Sequence, residues 1–135
     1  MTIVSISAEA VGLLRSALLS ELGSPACQLE QVSVTYDKEK HPEWFHEPLA
    51  ELDRYRKILD LLGWMQPDSQ EPLSLDLEPY RDLIATAMRV QLRVERDFMS
   101  EHANVEGAAQ QRETATRNAH VIEEFLTANG LTDRA

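Results

Sequence analysis

Several common functional signatures are missing from this chain of 135 residues. Its one cysteine, Cys27, cannot close a disulfide within the chain, so nothing points to an oxidising compartment. The five glycines are scattered, and no two lie close enough to form a phosphate-cradling loop. There is no Gly-x-Ser-x-Gly elbow of the serine-hydrolase kind. Aromatic residues make up only 6% of the chain. No apolar run approaches the ~20 residues a membrane span requires. The first basic residue is Arg15, so the opening segment lacks the charged start of a signal peptide. The reading is a cytoplasmic protein without a membrane partner.

Positive charge is also scarce: 13 basic against 23 acidic side chains give a net charge of −10. Such a field repels nucleic acid unless basic residues gather on one face, and here they are mostly dispersed. Nucleic acid is therefore not an expected partner. The length suits one domain with a single core, spanning 1–135.

What is present is helical periodicity broken by proline and glycine. Residues 1–7 read as an arm or short strand, and Ser7 is a natural N-cap. Val11, Leu14, Leu18 and Leu22 recur at helical spacing, which predicts a helix over 8–22 with Gly23 as a left-handed stop. Ser24-Pro25 restarts the chain, and Leu29, Val32 and Tyr36 extend a second helix to about 33. The β-branched alternation of Val32 to Tyr36 argues for a strand instead. Leu49, Leu52, Tyr55, Leu59 and Leu62 form a stripe behind Pro48, ended by Gly63 and followed by Trp64. Residues 65–75 read as a loop.

Asp76 can cap the next helix, which runs to about His102. Tyr80, Ile84, Ala87, Gln91, Val94 and Phe98 follow in steps of four and three, a heptad seam with one polar interruption. Asn104 can cap a last helix whose inner face carries Val105, Ala108, Ala115, Ala119, Ile122 and Leu126. Alanines there allow close approach of another backbone, from this chain or from a second copy. The predicted fold is all-α: a small bundle of four to five helices, with its third and fourth major helices in a long antiparallel hairpin.

Two chemical readings follow, from different classes. A hairpin turning near residue 104 would bring Glu95, His102, Glu106 and Glu113 toward one end of the bundle. Such a carboxylate–histidine set could hold a metal or small ligand. Glu43-Trp44-Phe45-His46 repeats the Glu-x-x-His spacing of bundle metal sites, but only once and between prolines. The two histidines His102 and His120 fall too far apart along the hairpin to share an ion. Cys27 reads as a small buried residue, and both tryptophans, Trp44 and Trp64, read first as core cover. Gln91 would either set register in the seam or pair with Arg117.

The second reading is interaction. Arg89, Arg93 and Arg96 line one helix face flanked by Glu95 and Asp97, which suits an acidic surface, including this protein's own in a homodimer. With Ala115, Ala119 and Trp64, Arg89 and Arg93 make the candidate interface. No catalytic cluster is recognisable and no cofactor is implied. The expected function is therefore protein–protein interaction by an acidic, self-associating helical protein, a reading favoured over an enzyme without excluding one. The metal-binding bundle is the alternative.

Overall fold

A computed structural model describes residues 2–63 and 72–132. The chain folds as β1 (Ile3–Ile6), α1 (Ala8–Glu21), α2 (Gly23–Thr35), α3 (Glu43–Leu62), β2 (Leu73–Asp76), α4 (Arg81–Glu101) and α5 (Ala109–Ala128). A single 3-10 turn, Glu78–Tyr80, leads into α4. The molecule is mostly helical, as its periodicity predicts. An all-α description omits a two-stranded antiparallel sheet, in which Ile3 faces Asp76 and Ile6 faces Leu73. Part of the expected 65–75 loop is thus strand. Trp64 and the preceding part of that loop lie outside the described residues.

Local chemistry explains two of the boundaries. Ser7 is extended and its Oγ accepts from the Ala10 N–H at 3.2 Å, capping α1. Gly63 takes the left-handed conformation, with φ 79°, and its N–H reaches the Leu59 carbonyl at 2.9 Å. Gly23 does not act as a stop. Leu22 stays in the right-handed helical region, and Gly23 opens α2 directly after it. The β-branched Val32–Tyr36 segment is helical through Thr35. Ser33 and Thr35 satisfy their hydroxyls on the carbonyls of Leu29 and Gln31, four residues back.

α3 begins at Glu43 and so contains Pro48, which is buried within its second turn. Helix therefore includes Glu43 and His46, despite the prolines on either side of them. Asp76 does not cap the long helix. Its Oδ1 accepts from the backbone N–H of Thr2 at 3.0 Å and of Glu78 at 3.2 Å, joining the sheet to the 3-10 turn.

α4 and α5 form the expected antiparallel hairpin, but their connection is longer than a turn at 104. Gly107 carries a φ of 87° within it, and Arg112 donates to the carbonyls of His102 and Val105. The register moves accordingly. Glu95 meets Asn118 at 3.3 Å, and the Thr116 hydroxyl meets the Met99 sulfur.

The core draws Leu14 and Leu18 from α1, Ile58 and Leu59 from α3, Ile84 and Met88 from α4, and Ile122 from α5. Ile6 and Leu75 close it from the sheet, with Leu77 just beyond β2. No residue of α2 enters this cluster. α2 packs mainly on α3, at the edge of the molecule. Arg54 ties α3 to the start of α4. It donates to Asp82 at 2.5 and 3.0 Å and to the Pro79 carbonyl at 3.0 Å. These guanidinium hydrogen bonds hold the Asp82 carboxyl below its ordinary range.

Candidate interaction surface

α4 buries Leu83, Ile84, Ala87, Met88 and Leu92. Packing thus follows Ile84, Met88 and Leu92, and the expected seam turns outward at its far end. Val94 is 52% exposed and Val90 is 41% exposed. An α-helix advances 3.6 residues per turn, so a 3.5-residue repeat drifts round a straight helix. Val94, read as a seam position, is thereby carried to the surface.

Beside the two valines runs a stripe at steps of four: Arg89, Arg93, Asp97 and Glu101. Arg93, Asp97 and Glu101 are exposed, and no ion pair or side-chain hydrogen bond engages any of them among the described residues. Every other described arginine is held by a partner. Arg96, for instance, pairs with Glu123 at 2.6 Å, and Arg117 pairs with Glu9 of α1. Arg89 donates an Nη to the Leu131 carbonyl at 2.8 Å, fastening the end of α5, while its Nε is buried without a partner.

The remaining candidate residues separate. Ala115 and Ala119 are 3% and 5% exposed, on the face α5 turns toward its own chain. Glu95 accepts from Gln91 at 3.0 Å as well as from Asn118, so Gln91 does not pair with Arg117. His102 keeps Nδ1 at 3.0 Å from the Phe98 carbonyl and stacks its ring on Phe98, with centroids 4.1 Å apart. Glu106 and Glu113 are exposed. Among the described residues, no three His, Cys, Asp or Glu side chains gather in a metal-holding group. The longer α4–α5 connection supplies the reason, because it moves Asn118 into the place beside Glu95 expected for Glu113.

Cys27 is exposed, not buried, since α2 lies outside the core. Trp44 is 51% exposed and stacks on Tyr36, with centroids 5.0 Å apart and planes 9° from parallel. It closes the free end of the α2–α3 pair and not the core. Val34 of α2 is 84% exposed. No helix among the described residues is long and apolar enough to cross a membrane.

Two open grooves lie among the described residues. One, of about 510 Å³, lies between α4 and α5 and is lined by Glu95, Phe98, Gln110, Gln111, Thr114 and Ala115. Its single carboxylate is already engaged by Gln91 and Asn118. The other, of about 450 Å³, runs past Arg81, Thr86 and Arg89 to Leu131. Its arginines are engaged with the carbonyls of Asn129 and Leu131 at the end of α5.

Sequence reasoning found Arg89 and Arg93 and missed the exposed set Val90, Val94 and Glu101. The signal was available in the four-residue spacing of Arg89, Arg93, Asp97 and Glu101. Compared with known proteins, the chain matches no family model, no curated protein and no solved structure.

Proposed function

We propose that this protein acts by protein–protein contact in the cytoplasm and that it self-associates. The observation that supports this most directly is the pair of outward valines on α4, a helix whose own core face is already filled. A helix needs one apolar stripe for its own fold, and a second one beside unpaired charges suits another protein surface. Sedimentation velocity across a concentration series tests the reading. The expected result is a shift from the 15.3 kDa chain toward twice that mass as concentration rises. A single monomeric species at every concentration would contradict it.

A further inference from the structure

From the order of charges along α4, we infer that the second copy docks on this helix antiparallel, about a two-fold axis at the level of Glu95 on the outward face. The inference rests on the self-association proposed above and adds the surface and its register. Arg89, Arg93, Asp97 and Glu101 run basic, basic, acidic, acidic at equal spacing. A two-fold axis at Glu95 sets Arg93 opposite Asp97 of the second copy. The same axis sets Arg89 level with Glu101, where the part of the Arg89 guanidinium not given to the Leu131 carbonyl can meet it. Symmetry repeats both contacts, as an isologous interface requires.

The alternative directions fail on charge. Two parallel helices in register would place Arg93 against Arg93 and Asp97 against Asp97, and directly opposed like charges disfavour the wrong arrangement. Within one helix, Arg93 and Asp97 are four residues apart but in the less favourable order, with the basic residue on the N-terminal side. They are not paired there. Both are therefore available to a partner.

The apolar stripe flanks the same contact. Val94 lies one residue from that level, so it and its copy come within about 3 Å along the helix direction, but at about 100° per residue it points to the side of the Arg93–Asp97 face and flanks the contact. Val90 falls near the level of Phe98 and Ser100 of the second copy. The charged stripe spans about 18 Å of helix. A strip of that length on one helix about 10 Å wide covers on the order of 200 Å², below the ~800 Å² per partner of a standard stable interface, so the dimer is concentration-dependent.

The test uses two single variants, Arg93→Asp and Asp97→Arg, alone and mixed. Each alone brings like charges together twice, and the dimer dissociation constant should rise at least tenfold. In an equimolar mixture, every changed side chain meets an opposite charge again, and a mixed dimer should form. Both positions are exposed, and circular dichroism of each variant checks that the helices are retained. If the wild type dimerises and the single variants dimerise equally well, α4 is not the surface, while self-association stands. If the single variants are monomeric and their mixture is too, the antiparallel register is wrong. A wild type that stays monomeric throughout overturns both this inference and the reading beneath it.

Discussion

Replacing Ile84 by alanine is expected to destabilise the fold by about 3 kcal/mol, the middle of the range for emptying a filled core site. Ile84 is fully buried in the cluster that joins α1, α3, α4, α5 and the sheet. Its side chain therefore supports several elements at once, and the cavity left behind cannot collapse without shifting more than one of them. For a domain of this size the thermal midpoint should fall on the order of 10 °C. The matching change on α2, Leu29→Ala, should cost about 1 kcal/mol or less, because Leu29 is only half-buried and lies outside that cluster. Thermal unfolding followed by circular dichroism compares the two. Equal losses would mean that α2 is as deeply integrated as α4, against the packing described above.

The second large effect falls on association and leaves the fold alone. Val94→Asp is expected to weaken the dimer about tenfold. A new carboxylate on each copy would stand beside the contact, near Asp97, and the apolar cover that flanks it would be lost. Surface substitutions of this kind usually change monomer stability by no more than about 0.5 kcal/mol, and Val94 is half-exposed in the single chain. Dilution isotherms should therefore shift while the unfolding curve of the dilute protein stays in place. A large fall in the unfolding midpoint would instead make Val94 a core residue.

How much of this was legible in the sequence depends on how local the cause is. Ser7 and Gly63 act through their own backbone neighbourhoods, and both were readable as a cap and a stop. The helical hairpin was also readable, because its periodicity runs along the chain. β1 was half-readable, as one of two readings of residues 1–7, and β2 was not, since four residues near the start pair with four beyond residue 72. Neither segment carries enough pattern alone, and only the long-range pairing makes them strands. Gly23 misled because glycine permits a left-handed stop without requiring one. The metal reading depended on hairpin register, which the Gly107 connection sets. A turn some residues longer replaces Glu113 with Asn118 beside Glu95. The α4 surface lay between these cases. Its charges were visible, but which side of the helix the core takes was not. A strict heptad assigned Val94 to the inside, whereas packing follows Ile84, Met88 and Leu92.

The most direct measurement is cross-linking at the centre of α4. A Val94→Cys variant, in a Cys27→Ser background that removes the exposed native thiol, is treated with a short bifunctional thiol reagent. Leu61→Cys, which is also exposed but lies on α3, serves as the control. Antiparallel docking across α4 predicts a covalent species of twice the chain mass from Val94→Cys and little from the control. Equal cross-linking at both positions, or none at Val94→Cys under conditions where the protein is dimeric, would contradict it.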